Sequence, residues 1–338
     1  MVVWAPKRME LKTTPPSYGT THNWEKQLVL HETRHVAQMQ QAGENFFRVF
    51  GWFFGQQSAG VSVGLYFPKW LLEGDAVITE TFFSGAGRGR EASFLMPYKA
   101  YFLEGKKFSY DKWRYGSYRH AVPDHYALGY MKLSVARLFS GEEALARIYS
   151  DITKYPYWPF IYGYHTVKLW EPALEYYKKN WEEQDKQKAP FSSGVQINAP
   201  LRDYVSYRSP ALVRQPDGTQ MLFAIKSSLA QTARLVRFPS LEKSGEETVC
   251  LLGNVNSFLR AAGPYLFWSE TVSGHRWTHE NFSVILTYNA VTGEKKTLLP
   301  RTRYFNPAPS DDGFLLAAAH YPPGGGSELH LLNPWTGE

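Results

Sequence analysis

The sequence contains a single cysteine, Cys250, among its 338 residues. One cysteine cannot form an intrachain disulfide framework, and it cannot supply a zinc site made of several thiolates. The chain also lacks a cluster of basic residues, because its 37 Lys and Arg residues are scattered along a sequence of formal net charge +6. With no basic run and no reading motif, we do not expect a nucleic-acid partner.

No apolar run is long enough to cross a bilayer. The best candidate, residues 46–67, is interrupted by Arg48, Gln56, Gln57 and several glycines, whereas a transmembrane helix needs about 20 predominantly apolar residues. The first residues lack a charged start followed by a continuous apolar core. The sequence therefore predicts neither a transmembrane segment nor a signal peptide.

What is present is typical of a folded protein of more than one unit. Hydrophobic residues make up 43% of the chain and charged residues 20%, a balance that disfavours extended disorder. The length favours two units with substantial cores.

Helical periodicity dominates the first half of the chain. Asn23 is a predicted N-cap and Gly43 a predicted stop for the first helix. Predicted helices cover residues 24–41, a segment that begins near Lys69, 124–139, 142–152 and 171–186. The polar run at residues 187–194 has the composition of a linker. We therefore predict a first domain over residues 1–190.

Short β-type runs separated by turns follow this linker. A turn precedes each of the runs at residues 221–224, 265–268 and 314–317, and the units recur about every 45 to 50 residues, a period typical of propeller blades. About three blades fit in residues 195–338, whereas closed propellers have four to eight. We predict an incomplete β-propeller there, and we expect the chain to be a fragment of a longer protein.

The sequence His31-Glu32-Thr33-Arg34-His35 places two histidines four residues apart on the first predicted helix. This spacing brings both imidazoles to one helical face, where they can bind one Zn²⁺. Glu32 is then placed to take a proton from a water molecule activated by the metal and to act as general base. The pattern alone also fits the polar face of a solvent-exposed helix.

A catalytic zinc normally has a third protein ligand and an open position. Glu73, at the start of the second predicted helix within Trp70-Leu71-Leu72-Glu73-Gly74-Asp75-Ala76, is the best candidate. The alternative is a glutamate favoured near a helix start by the macrodipole.

With these two motifs the sequence resembles the gluzincins, and especially the peptidase MA-like proteins related to the M1 aminopeptidases. Residues 70–76 match the W-L-x-E-G-x-A motif of that superfamily. The resemblance implies one zinc ion per chain and places Glu80 as a carboxylate supporting a ligand histidine. The distance in sequence from His35 to Glu73 is longer than in the aminopeptidases, so aminopeptidase specificity is not implied.

The resemblance extends to a Y-x-x-G motif at residues 126–129. It implies that the hydroxyl of Tyr126 stabilises the oxyanion of the tetrahedral intermediate, while the alternative is a core tyrosine. The second half resembles the TolB-like propellers attached to such peptidases in bacterial envelope proteins. A location in the cell envelope, periplasmic or secreted, and a protein partner on the propeller are implied.

Two further segments carry expectations about the cleft. Residues 2–14 are interpreted as an edge strand along which a peptide could pair. The glycine-rich run at 85–89 lacks the Lys-Ser/Thr ending of a phosphate-binding loop, so we interpret it as a flexible loop that exposes Arg88 and Arg90.

Together these features predict an α+β protein, with a mainly helical zincin-type domain followed by an all-β incomplete propeller. The predicted activity is zinc-dependent hydrolysis of a peptide or protein substrate, with His31, His35 and Glu73 as ligands, Glu32 and Tyr126 as catalytic residues and Glu80 supporting a ligand. The alternative is a non-catalytic envelope scaffold that binds partners through its propeller.

Overall fold

A computed structural model describes residues 2–4, 8–10, 23–155, 158–189, 194–198, 201, 203–239, 245–276, 280–323 and 325–337. The chain divides into two compact units. The first contains most of the helical half, including His22–Ser117 and Ala121–Phe191, and the second contains Ser192–Glu338.

Nine α-helices are described. Their bounds are α1 Trp24–Ala42, α2 Phe46–Phe54, α3 Gln57–Tyr66, α4 Lys69–Phe83, α5 Ala92–Leu103, α6 Tyr110–Tyr115, α7 His125–Ser140, α8 Ala144–Lys154 and α9 Trp158–Lys186. A single 3-10 turn, Arg88–Arg90, lies between α4 and α5. None of these helices is long and apolar enough to span a membrane, a finding that covers the described residues only.

The ends of α1 and α7 have the expected capping chemistry. The Asn23 side chain accepts a hydrogen bond from the backbone N–H of Lys26, and Gly43 follows the last turn of α1. Asp124 accepts from two backbone N–H groups at the start of α7, and Gly141, at φ 81°, follows its end. Such side-chain acceptors satisfy helix N–H groups that have no intrahelical partner. Both predicted helices are confirmed to within one or two residues.

The apolar stretch at residues 46–67 forms two helices that the sequence reading did not place. Gly55, at φ 68°, separates α2 from α3. Phe47 is buried, whereas Trp52 and Phe53 are 81% and 77% exposed. α2 has only nine residues, and in α3 the apolar residues are spread around the helix, so neither gives the extended one-sided pattern from which an amphipathic helix is recognised.

The core of the helical unit is formed mainly by α4, α7 and α8, with contributions from α5 and α9. Its largest fully buried side chains include Trp70, Leu71, Tyr98, Leu128, Met131, Leu133, Tyr149 and Ile152. Burial of each large apolar side chain contributes about 1.5–3 kcal/mol. Helices α4 and α7, which carry the W-L-x-E-G-x-A and Y-x-x-G motifs, are therefore held by the core itself.

The described strands are β1 Val2–Trp4, β2 Arg8–Glu10, β3 Val205–Arg214, β4 Gln220–Ser228, β5 Arg234–Phe238, β6 Glu247–Leu251, β7 Asn254–Val255, β8 Arg260–Ala262, β9 Tyr265–Ser273, β10 Asn281–Asn289, β11 Lys295–Thr302, β12 Tyr304–Pro309, β13 Leu316–His320 and β14 Glu328–Leu332. The single edge strand expected over residues 2–14 is replaced, in its described part, by two short strands: β1 and β2 pair antiparallel, with Val3 opposite Met9. Both are edge strands of this two-stranded sheet, and residues 11–14 lie outside the described residues.

The described part of the second unit contains three antiparallel sheets. Their strand orders are β3-β4-β5-β6, β11-β10-β9-β7 with β8 also paired to β9, and β12-β13-β14. No closed sheet occurs among the described strands. The α+β class is confirmed, since a helical unit is followed by antiparallel sheets. The arrangement of the sheets as propeller blades stays a prediction.

Two of the three predicted strand starts agree with the sheets. Residues 221–224 lie within β4 and residues 265–268 within β9. The third prediction is partly wrong, because β13 begins only at Leu316. Phe314 and Leu315 precede it and are 68% and 50% exposed, and they follow the turn that the Gly313 N–H closes on the Ser310 carbonyl.

Candidate metal centre

Helix α1 carries the first two candidate ligands. The rings of His31 and His35 lie one turn apart, with centroids separated by 5.0 Å. His31 is 4% exposed, and Glu32, next to it, is 7% exposed. Four residues bring side chains to the same helical face, so both imidazoles are available to one ion.

Helix α4 brings Glu73 to the same point. The Oε2 atom of Glu73 lies 3.2 Å from Nε2 of His31 and 3.3 Å from Nε2 of His35. One potential ligand atom from each of the three residues lies within 4.8 Å of the other two. The long-range contact expected from the two motifs is therefore present in the fold.

Hydrogen bonds from Arg34 and Gln38 of α1 to residues of α4 link the two helices beside this cluster. The Gln38 amide donates to the Leu72 carbonyl and to Asp75, both at 2.9 Å. Arg34 Nε donates to the same Asp75 carboxylate at 2.7 Å, and Asp75 is 1% exposed. Sequence reasoning assigned no role to Arg34, Gln38 or Asp75, although Asp75 lies two residues from the predicted ligand and Gln38 three residues from another.

The outward nitrogens of both imidazoles have hydrogen-bond partners. Nδ1 of His31 lies 3.0 Å from Oε2 of Glu80, and Nδ1 of His35 lies 2.7 Å from Oε1 of Gln38. The Gln38 oxygen can only accept, so it holds the Nδ1–H tautomer of His35 and turns its Nε2 towards a metal. Nδ1 of His31 faces both the Glu80 acceptor and a donor, Nη2 of Arg88, also at 3.0 Å. Glu80 therefore occupies the position that the resemblance implied, and Gln38 has the equivalent place for His35.

Arg88 is part of the site, and its side chain is 31% exposed, less than expected for a residue of a flexible loop at the border of the cleft. Its Nε and backbone N–H donate to Glu80 Oε1 at 2.8 and 3.0 Å. Its guanidinium carbon lies 4.7 Å from the centroid of the Tyr126 ring. Gly87 has φ 95°, and a Cβ at Gly89 would lie 2.4 Å from the Tyr130 ring. These glycines allow the turn to dock, while Arg90 is exposed as expected.

Tyr126 reaches the cluster from the first turn of α7. Its ring centroid lies 6.1 Å from that of His31. The approach depends on Gly129, where a Cβ would lie 1.8 Å from the Trp70 carbonyl oxygen, and on Gly74, where a Cβ would lie 2.3 Å from Gly129. Only glycine permits this contact between helix backbones.

The electrostatics of the cluster favour ionised carboxylates. Burial opposes ionisation of Glu73, but hydrogen bonds to His31 and His35 lower its pKa below the usual value. Burial also opposes ionisation of Glu80, but hydrogen bonds to His31 and Arg88 lower its pKa to about 2. For His31, burial lowers the pKa and the two glutamates raise it, with a net rise. Two anions therefore face the imidazoles, as a cation site requires.

The donor set fits zinc. Ligand atoms about 2.0–2.1 Å from a tetrahedral Zn²⁺ lie about 3.4 Å from one another. The distances of 3.2 and 3.3 Å from Glu73 to the two imidazoles are close to this value. Two nitrogens and one carboxylate oxygen form a ligand set that zinc takes in hydrolytic enzymes. His31, His35 and Glu73 would hold the ion.

Comparison with known proteins gives distant likenesses. No family model matches the chain, and no curated protein matches it. Solved structures align with part of the chain, among them the two that follow. The β-propeller domain of the Trilobed protease from Pyrococcus furiosus aligns at 12% identity and a TM-score of 0.29, over 40% of this chain and 41% of that one. TolB from Acinetobacter baumannii aligns at 13% identity and a TM-score of 0.23, over 39% and 42%. The chain thus spans about two fifths of each.

Proposed function

We propose that the protein is a zinc-dependent metallopeptidase of the gluzincin type. The observation that carries the proposal is the convergence of His31, His35 and Glu73, which come from two helices and whose potential ligand atoms lie within 4.8 Å of one another. Structural ion-pair networks also bring histidines and carboxylates together. The acceptors Glu80 and Gln38 at the outward nitrogens favour a metal site instead, because with both Nδ1 atoms donating to them the two Nε2 atoms face one point.

When bound, zinc would polarise a peptide carbonyl and lower the pKa of water towards 7. Glu32 is assigned as general base, since it adjoins His31 on α1 and is largely withdrawn from solvent. It would accept a proton from the attacking water and deliver it to the leaving nitrogen. Its burial favours this role, because proton transfer is most effective where bulk water does not compete.

Tyr126 is assigned as the donor to the oxyanion. Burial raises the pKa of its hydroxyl, and the charge of Glu73 raises it further. The phenol therefore keeps its proton at neutral pH and can donate a hydrogen bond. The Arg88 guanidinium against its ring restricts where that ring can lie, which is the kind of preorganisation that electrostatic catalysis needs.

The experiment that tests the proposal compares wild-type protein with Glu32→Gln on a peptide library, with and without a chelator. Wild type should cleave peptides and stop when the chelator is added. Glu32→Gln should retain zinc by elemental analysis and lose about a hundredfold to ten-thousandfold in turnover. Normal cleavage by Glu32→Gln would exclude this residue as the base. Wild-type protein that binds zinc and cleaves nothing in the library would favour the non-catalytic scaffold.

A further inference from the structure

A second group of potential metal ligands lies in the sheet β12-β13-β14. His320 is directly opposite Glu328 in the pairing of β13 with β14, and Tyr304 of β12 is opposite His320. His330 lies two residues after Glu328 on the same strand. Because side chains alternate between faces of a strand, all four side chains project from one face of the sheet.

The donor atoms are close together. Nδ1 of His320 lies 3.0 Å and Nε2 of His330 lies 2.9 Å from the same oxygen, Oε2 of Glu328. One potential ligand atom from each residue lies within 4.8 Å of the other two. This is the same donor set as in the first cluster, built on strands instead of helices. Small outward movements of the side chains would give the separation of about 3.4 Å between ligands of a tetrahedral ion.

Tyr304, on the neighbouring strand β12, contacts both histidines. Its hydroxyl lies 3.0 Å from Nδ1 of His330, and its ring centroid is 4.9 Å from that of His320. A hydroxyl can donate or accept, so the same contact fits either tautomer of His330. With Nε2 of His330 on a metal, Nδ1–H would donate to Tyr304, as the outer nitrogen of a ligand histidine normally does to a neighbour.

The position of the group in the sheet makes it accessible as well as rigid. The same face carries Leu316 and Leu332, which are buried in a core cluster, so one end of each strand is anchored. At the other end His320, Glu328 and His330 are partly exposed. An ion can therefore enter from solvent, and one position remains for water or a further ligand.

We propose that His320, Glu328 and His330 form a second metal site, which takes Zn²⁺ or a similar divalent transition-metal ion. Two imidazoles and one carboxylate suit such ions better than Mg²⁺ or Ca²⁺, which prefer oxygen ligands. The ion would join β14, the last strand of its sheet, to β13. This inference is independent of the proposed peptidase activity.

The test is metal stoichiometry of the full chain, measured by elemental analysis after removal of metal and equilibrium dialysis against Zn²⁺. We expect two ions for wild type, one for H320A/H330A and one for H31A/H35A. His275, an exposed histidine of the same unit outside the cluster, gives the matched control, since H275A should still bind two. Circular dichroism verifies that each variant is folded.

The outcomes separate the two sites. An unchanged zinc count in H320A/H330A would overturn the second site and leave the first intact. An unchanged count in H31A/H35A, with loss in H320A/H330A, would contradict the proposed function alone. If H320A/H330A does not fold, Co²⁺ absorption replaces the count: Glu328→Gln should change the visible spectrum of the Co²⁺-loaded H31A/H35A chain, and an identical spectrum would overturn the site.

Discussion

Gly74 of α4 and Gly129 of α7 lie in direct backbone contact, so close that a Cβ at Gly74 would lie 2.3 Å from the carbonyl carbon of Gly129. Gly74 belongs to the W-L-x-E-G-x-A motif, next to Glu73, and Gly129 to the Y-x-x-G motif, three residues after Tyr126. Because backbones that approach so closely leave no room for side chains, this contact fixes how far apart the metal cluster and the tyrosine lie.

Gly129→Ala should destabilise the helical unit by about 1–3 kcal/mol, the usual cost of forcing extra volume into a packed interior. The added Cβ would lie 1.8 Å from the Trp70 carbonyl oxygen. Urea unfolding measures the effect. Gly64→Ala is the matched control, since Gly64 is also helical and has open space around it. That variant should gain about 0.5–1 kcal/mol, and equal effects at the two positions would contradict the packing account.

Glu80→Gln should weaken zinc binding about 10- to 100-fold, as loss of an outer carboxylate typically does. The amide can still accept from Nδ1 of His31, but it no longer supplies the negative charge that the hydrogen bond at 3.0 Å now carries. Competition with a fluorescent chelator measures the dissociation constant. Glu104→Gln, at an exposed glutamate, should leave it unchanged, and identical constants for both variants would remove Glu80 from the site.

Tyr126→Phe should lower turnover about a hundredfold or more, because one oxyanion donor is lost. The ring and its contact with Arg88 would remain, so zinc content and KM should change little. Steady-state kinetics on the best peptide of the library gives both constants. Tyr115→Phe, at a tyrosine that is 70% exposed, is the control. Turnover equal to wild type would show that the hydroxyl takes no part.

Lys132→Met should change how stability depends on pH. Lys132 is fully buried, with Nζ 2.6 Å from the Tyr110 hydroxyl and 3.4 Å from the centre of the Trp70 ring. Burial lowers its pKa well below 10.5. Below that pH the unfolded chain binds a proton that the folded chain does not, so this lysine costs stability as the pH falls from 10.5 to its folded pKa.

The advantage of Lys132→Met over wild type should therefore grow as the pH falls from 10 to 7, by up to about 1.4 kcal/mol per pH unit. Urea midpoints at several pH values measure it. The exposed Lys154 gives the control, because Lys154→Met should shift wild-type stability by a similar amount at every pH. A pH-independent difference for Lys132→Met would show that the buried amine stays charged in the folded protein.

Helices α1 and α7, which carry candidate site residues, could be predicted from the sequence because capping residues and side-chain spacing indicate the same helices. Asn23 and Asp124 are side-chain acceptors placed at the starts of α1 and α7, and the four-residue spacing of His31 and His35 defines one face. α2 and α3 escaped prediction for the opposite reason. α2 has only nine residues and the apolar residues of α3 are spread around the helix, so periodicity gives little signal in either segment.

The docking of Arg88 could not be predicted from local pattern. Its run of glycines has the composition of a free loop, yet Gly89 packs against the Tyr130 ring and Arg88 against Glu80. Such contacts depend on which helices are neighbours, and the sequence does not encode that locally. The hydrogen bonds that join Arg34 and Gln38 to Asp75 could not be predicted for the same reason. The group formed by Tyr304, His320, Glu328 and His330 was not predicted either, because its members come together only when β12, β13 and β14 pair.

The most direct test of the proposed metal centre is a zinc-loaded crystal of the full chain measured on both sides of the zinc absorption edge. An anomalous difference peak is expected about 2.0–2.2 Å from Nε2 of His31, Nε2 of His35 and the Glu73 carboxylate. Zinc that binds the protein but leaves no peak among these three residues, with the Glu73 carboxylate turned away from both imidazoles, would contradict it.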